Sequence, residues 1–270
     1  MIPIKTKKEI AIMKKGGRIL ARVMAIVIEN TQPGIKTKAL DVLAEKLIIK
    51  NGGKSSFKMV KGYSFTSCIN INDGLVHGIP GEYKIKTGDV VTIDLGAFYK
   101  GFHSDMARTF QVAPGSSTSE NNTSKVSEDF TLEVKESEVN RFLKIGRLAL
   151  KKTIATTHPG NHIGHISKAI QEVIEGAGYS CSRKFTGHGI GEKLHEEPKI
   201  PCFLEGKTKN TPRLKPGMVL AIEVIYSQGR PEIKLAKDGW TAKTIDGKLG
   251  GLFENTVAVT EVGSIVLTVV

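Results

Sequence analysis

The sequence predicts an α/β protein built from two pseudo-symmetric halves, and three observations carry that prediction. The stretch "KTGDVVTID" at 86–94 shares K-x-G-x-V-x-x-I and a closing acid with "KPGMVLAIE" at 215–223, an offset of 129 from Asp94 to Glu223. A turn, a helical stretch and a glycine stop run from Gly34 to Gly52, and the same order recurs from Gly160 to Gly178 at an offset of 126. The two offsets nearly agree, so whole segments repeat in the same order. A period this long excludes a solenoid of 20–50-residue units and leaves one domain folded from two related halves, each placing its acid on an equivalent strand.

Along the chain, Ile10, Met13, Ile19, Val23, Ile26 and Val27 lie near helical spacing, which predicts a first helix over 5–30, interrupted at Gly16-Gly17. Pro33-Gly34 makes a turn, Thr37 is placed to cap a second helix running to about Lys50, and Gly52-Gly53 stops it. Val90, Val91 and Ile93 then form a buried strand with Asp94 at its heart. "FYKGF" at 98–102 reads as a hairpin turn that brings Asp105 back beside Asp94. In the second half a helix follows "THPGNHIGH", Glu223 sits in "VLAIEVIY", and Glu254 interrupts "GLFENTVAV". Between the halves, residues 113–140 are rich in Ser, Thr, Asn and acids. That stretch is expected to be a polar insertion within a single 1–270 catalytic domain, mobile to about Ser127.

Composition narrows the function class. With 40% hydrophobic and 24% charged residues the chain fits a globular protein, and no run reaches the roughly 18 apolar residues of a membrane span. Lysines occupy the start where a secretory signal needs its apolar stretch, so a cytoplasmic location and no membrane partner are expected. Cys68, Cys181 and Cys202 form neither a disulfide framework nor a C-x-x-C zinc pattern. The net charge of +12 favours polyanionic neighbours, the ribosome surface among them, while no RNP or zinc-finger pattern marks dedicated base recognition.

The chemistry lies in four acids. Asp94, Asp105, Glu223 and Glu254 all fall in apolar, strand-like surroundings, where carboxylates repel one another unless cations sit between them. His188 and His195, in the glycine-rich "FTGHGIGEKLHEEP", move the preference toward transition metals. A rival cluster, His158, His162 and His165 in "HPGNHIGHIS", has spacings that one helix face could use for zinc, but Pro159, Gly160 and Gly164 oppose a helix across it.

Taken together, "HGIP" at 77–80, "TIDLG" at 92–96, "GFHSDMARTF" at 101–110, "TGHGIG" with "HEEP" at 186–198, "LKPGMVLAIE" at 214–223 and "KDGWTAKT" at 237–244 resemble the methionine aminopeptidases, of type I. The resemblance covers nearly the whole chain outside 113–140. It implies the pita-bread fold, an α/β (α+β) architecture in which each half packs helices on an antiparallel sheet and the active site lies between the halves. It implies removal of the initiator methionine from N-terminal Met peptides and nascent chains, by a monomer, with a hydroxide bridging two divalent ions of Co, Mn, Fe or Zn. By the same resemblance Asp94 binds one ion, His188 and Glu223 the other, and Asp105 and Glu254 bridge them. His195 holds substrate and stabilises the oxyanion, His77 contacts the peptide near the scissile amide, and Glu223 relays a proton. Tyr63, Cys68 and Trp240 line the methionine slot with His77 along its edge, joined by Phe57, Val60 and Leu194, the last replacing an aromatic. "IEV" stands for the usual I-E-P and "FEN" for Y-E-H, and neither change removes a ligand. Two other readings compete: a proline-specific peptidase of the same fold, and a peptidase-like protein that binds RNA or ribosomes without catalysis.

Overall fold

Thr6 starts the first helix. Its hydroxyl accepts from the Glu9 amide while the Glu9 carboxylate accepts from the Thr6 amide, so α1 (Lys7–Glu29) is capped reciprocally. The computed structural model describes residues 2–114 and 137–270, and in it α1 runs unbroken through Gly16-Gly17, where the sequence predicts an interruption. Those glycines serve close packing instead. A Cβ on Gly17 would collide with the Leu267 carbonyl, and one on Gly16 would lie 3.1 Å from the Tyr99 Cβ. The second helix, α2 (Thr37–Lys50), has Lys36 rather than Thr37 at its N-cap. The Thr37 hydroxyl accepts from the Gly81 amide (2.8 Å) and donates to the Gly81 carbonyl (3.1 Å), tying the helix start to a distant loop.

The first half continues with β1 (Lys54–Ser55), β2 (Ser67–Ile71), β3 (Gly74–Val76), β4 (Val90–Tyr99) and β5 (Phe102–Gln111). The second supplies α3 (Glu138–Thr156), α4 (Ile163–Gly176), β6 (Ser180–Cys181), β7 (Thr186–Gly189), β8 (Glu196–Pro201), β9 (Val219–Ser227), β10 (Ile233–Leu235), β11 (Ala242–Thr244), β12 (Gly250–Val259) and β13 (Ser264–Val266). The β4–β5 hairpin turns through Lys100 and Gly101, both at positive φ (47° and 94°), the backbone that a two-residue turn requires. All strand pairings among the described residues are antiparallel.

The duplication reaches down to strand register. Helices α2 and α4 are each 14 residues long and start 126 residues apart, at Thr37 and Ile163. The pairs Lys54↔Phe98 and Ser55↔Ala97 of β1 with β4 recur as Ser180↔Ser227 and Cys181↔Tyr226 of β6 with β9, at the same offsets of 126 and 129. The isolated bridge Lys36↔Lys84 recurs as His162↔Arg213. Each half buries its helices on its own sheet: Leu20, Met24, Leu40 and Ile48 against Val91, Ile93 and Leu95 in the first, Ile166, Ile170 and Phe142 against Leu220, Ile222 and Phe253 in the second.

Where the halves meet, β5 and β12 belong to separate sheets and no backbone ladder joins them. Two threonines join them instead. The Thr256 hydroxyl accepts from the Asp105 amide (2.9 Å) and donates to the Asp105 carbonyl (2.8 Å). The Thr109 hydroxyl does the same for Leu252, accepting at 2.9 Å and donating at 2.8 Å. The arrangement is reciprocal, one clasp from each half.

The expected insertion falls mostly outside the described residues. At its far end Ser137 caps α3, accepting from the Asn140 amide, so residues 138–140 are the first helical turn rather than loop. Among the described residues no helix is long and apolar enough to cross a membrane.

The packing at Gly17 gives a direct test. Gly17→Ala is expected to lower unfolding free energy by about 1–3 kcal/mol in chemical denaturation, because helix and backbone carbonyl cannot both stay in place. Gly176→Ala, in a helix with nothing within 4 Å of the added methyl, is expected to raise it by up to about 1 kcal/mol.

Candidate metal centre

Asp94 lies mid-strand on β4 and Glu223 at the equivalent point of β9, so the duplication delivers one acid from each half. Glu254 lies directly opposite Glu223 across the β9–β12 ladder, and Asp105 opposite Gly96 on β5. The Thr109 and Thr256 clasps hold β5 against β12 and so bring Asp105 and Glu254 together. Ligand atoms of Asp105, Glu254 and His188 all lie within 4.8 Å of one another. Glu223 Oε1 stands 3.5 Å from His188 Nε2, and Asp94 lines the same cavity.

The donor set fits divalent cations. Asp94 Oδ1, Asp105 Oδ1 and Glu254 Oε1 are fully buried yet have no hydrogen-bond partner among the described residues. Orphaned carboxylate oxygens of this kind are costly unless something positive sits between them. His188 is preset for coordination: its Nδ1–H donates to the Gly189 carbonyl (2.8 Å), which leaves the Nε2 lone pair aimed into the cluster. Burial, then the neighbouring His195, pulls its pKa down to about 3, so the imidazole is neutral at physiological pH.

The carboxylates move the other way. Burial pushes Asp94 up to about 7, although a hydrogen bond with Asp105 offsets part of the rise. Burial, reinforced by mutual repulsion, drives Asp105, Glu223 and Glu254 well above the ordinary range. Arg108 relieves only part of this strain at Glu254. Its guanidinium donates to the Glu254 carbonyl (2.6 Å) and to Asn255 Oδ1 (2.9 Å), gripping the strand rather than the carboxylate.

A cavity of about 150 Å³ takes in the acids and an apolar slot lined by Phe57, Val60, Tyr63, Cys68, Leu194 and Trp240. Tyr63 is anchored by donating to the Ser67 carbonyl (2.8 Å), and the Trp240 ring meets it edge-on at 5.0 Å. Asp41 holds that wall from behind, accepting from the Thr66 and Ser67 amides (2.9 and 2.8 Å) and the Ser67 hydroxyl (2.7 Å). His77 and His195 sit where the slot opens into a wider groove of about 790 Å³. His77 holds a left-handed φ of 58°. Its pKa is lowered by desolvation and by His195.

Every site residue expected from the sequence therefore borders one cavity. The rival histidines form no three-ligand cluster among the described residues: the His162 and His165 rings lie 5.7 Å apart, but His158 pairs with Asn161 Nδ2 (2.9 Å) and His165 Nδ1 accepts from the His162 amide (3.0 Å). Sequence reasoning missed Asp41, Arg108, Thr109 and Thr256. For Thr256 the signal was present, since it shares the strand face of Glu254, two residues away.

Residues 11–261 match the model of metallopeptidase family M24. The methionine aminopeptidase of Clostridium perfringens is 40% identical over 270 residues, covering 100% of both chains. The chain belongs to the methionine aminopeptidases of family M24. The crystal structure of methionine aminopeptidase from Thermotoga maritima superposes with a TM-score of 0.88 at 34% identity, covering 99% of each chain. Prolidase from Pyrococcus furiosus shares the fold more distantly, with a TM-score of 0.71 and 27% identity, covering 99% of this chain and 65% of that one. The architecture is thus the pita-bread fold common to methionine aminopeptidases and prolidases, and the protein is a metallopeptidase whose family works with divalent metal.

Two measurements test the site. The metal-free protein is expected to lose thermal stability as pH rises from about 7.5 to 8.5. In that window the carboxyls of the unfolded chain are ionised and its histidines are largely neutral, while the folded carboxyls, with raised pKa values, still release protons. Asp105→Asn should flatten the slope, and a stability that rises with pH would contradict the reading. Thr256→Val is expected to cost about 1–3 kcal/mol in denaturant melts, because the buried Asp105 amide and carbonyl lose their partner.

Proposed function

We propose that the chain removes the N-terminal methionine from peptides and nascent proteins, with two divalent ions held by Asp94, Asp105, His188, Glu223 and Glu254. The observation that carries this reading is the convergence of unpartnered carboxylate oxygens with a neutral imidazole Nε2, beside an apolar slot that suits a methionine side chain. Such ions supply an electrophile for the substrate carbonyl and a water acidic enough to act as a nucleophile at neutral pH.

The protein groups do the rest. Asp94, Asp105, Glu223 and Glu254 would supply the negative charge that holds the ions, and His188 would add a neutral nitrogen donor. Tyr63, Cys68 and Trp240 exclude water around the methionine side chain. His195 stands where it can donate to the developing oxyanion, and His77 where it can contact the peptide beside the scissile amide. Glu223 stands beside the same cavity, where it can carry a proton toward the leaving amine. The ions are of the Co, Mn, Fe or Zn class, which a mixed carboxylate and imidazole set accepts.

The same reading has the enzyme working in the cytoplasm as a monomer, because one chain contributes the whole constellation. Its net charge of +12 suits contact with the ribosome surface, where new N-termini emerge.

A Met-Ala-Ser peptide should release methionine only after Mn²⁺, Co²⁺ or Fe²⁺ is added. Asp94→Ala should lower kcat/KM by at least about 1,000-fold. Titration calorimetry should find two equivalents of metal in the parent protein and fewer in that variant. Absence of metal-dependent methionine release would overturn the proposal.

A further inference from the structure

We infer that the buried Lys5–Glu196 ion pair positions His195, so that the chain's own N-terminal segment completes the mouth of the site. The inference rests on the reading of His195 as a substrate-contacting group. Among the described residues no hydrogen bond holds the His195 ring, which is exposed on the groove wall. Its placement therefore depends on the loop that carries it.

That loop is tied down by its neighbour in sequence. Glu196 Oε2 meets the Lys5 ammonium in an ion pair whose side chains are only 5% and 6% exposed. The other carboxylate oxygen, Oε1, accepts from the Lys193 amide (3.1 Å), so one carboxylate closes the 193–196 turn around His195. The turn is backed by Gly191, whose amide donates to the Lys193 carbonyl (3.1 Å) and whose carbonyl accepts from the His103 amide (2.7 Å). A Cβ on Gly191 would collide with the Lys5 Cε and lie 2.7 Å from Nζ and 2.9 Å from Glu196 Oε1. A side chain there would displace the lysine, which crosses the loop at that point.

Lys5 is itself fixed. Its amide donates to the Gly217 carbonyl (2.8 Å), and Gly217, at φ +90°, has no room for a Cβ beside the Lys5 carbonyl (2.7 Å). Gly217 lies in the turn that leads into β9 and Glu223. The route from Gly217 through Lys5 to Glu196 thus references His195 to the strand that carries Glu223. The His195 ring then meets His188 edge-on, at 4.5 Å between centroids. A buried ion pair is a poor source of stability but a strict geometric restraint, since loss of one partner strands the other charge.

The test uses Lys5→Met and Lys5→Arg in the full-length protein, assayed below the melting temperature at saturating metal. Lys5→Met is expected to lower kcat on Met-Ala-Ser about 10–100-fold with metal affinity unchanged, while Lys5→Arg stays within about threefold of the parent. In a His195→Ala background Lys5→Met should cost less than about twofold further, because the group it positions is gone. In the metal-free protein the His195 ring proton resonances should shift in Lys5→Met and not in Lys5→Arg. That readout stands even if the parent releases no methionine, which would instead sink the proposed function. Parent-like kcat in Lys5→Met, an equal loss in both backgrounds, or an unmoved His195 resonance would each overturn the inference. Should Lys5→Met not fold, the near-isosteric Glu196→Gln carries the same three measurements.

Discussion

Everything in the site depends on a seam that has no backbone ladder. β5 and β12 come from different halves, and the Thr109 and Thr256 hydroxyls each take the place of a paired strand by satisfying an amide and a carbonyl across the gap. A hydroxyl can serve both groups because it donates one hydrogen bond and accepts others. The Thr92 hydroxyl stands 2.8 Å from that of Thr109, and since Thr109 spends its own proton on Leu252, Thr92 is the donor. Because the seam is made by side chains, the two strands remain open toward the cavity. Asp105 and Glu254 face the same cavity there, each with one carboxylate oxygen buried and unpartnered among the described residues.

The electrostatic consequence is a site that is unfavourable by itself. Three buried carboxyls and the partly buried Glu223 share one cluster, three of their oxygens are unpartnered among the described residues, and the nearest histidine is kept neutral. Burial dominates each shift and mutual repulsion adds to it. Arg108, the basic group beside Glu254, is turned to the backbone and to Asn255, so it steadies the strand without neutralising the cavity. Thr268 donates to the same Asn255 oxygen (3.0 Å), which draws the C-terminal segment into the support of the site. Asn255 occupies the position where the family resemblance expects a histidine, and it does so as an acceptor shared by these two donors.

Much of this was legible in the sequence, for a physical reason. Duplicated strands need the same buried pattern, so "KTGDVVTID" and "KPGMVLAIE" expose the repeat, and an acid in each apolar run marks the misfit that signals a metal site. Gly16-Gly17 misled because glycine weakens an isolated helix, whereas here the absence of a side chain admits the Leu267 carbonyl and Tyr99. Thr37 misled for a similar reason: its hydroxyl serves Gly81, 44 residues away, rather than its own helix. The Lys5–Glu196 pair spans 191 residues and carries no local pattern, so only the fold displays it. Asp41 and Thr109 were hidden the same way, since most of their partners are backbone groups, which every residue possesses, and all lie far off in the sequence.

The halves are most informative where they stop matching. In the first half β2 runs beside β4 and sets Cys68 opposite Asp94, and its neighbour Tyr63 continues the wall of the apolar slot. In the second half β7 takes the corresponding edge of β9 and sets His188 opposite Ala221, two residues from Glu223. One copy of the edge strand therefore supplies a wall of the apolar slot, and the other supplies an imidazole. The crossing acids diverge too, with Glu254 directly opposite Glu223 but Asp105 opposite Gly96. Gly96 has to be small, because the Phe57 ring and Ser56 fill the space that a Cβ would need. Symmetry accounts for how the acids meet, and its local failure accounts for their unlike neighbours, an apolar wall beside Asp94 and an imidazole beside Glu223.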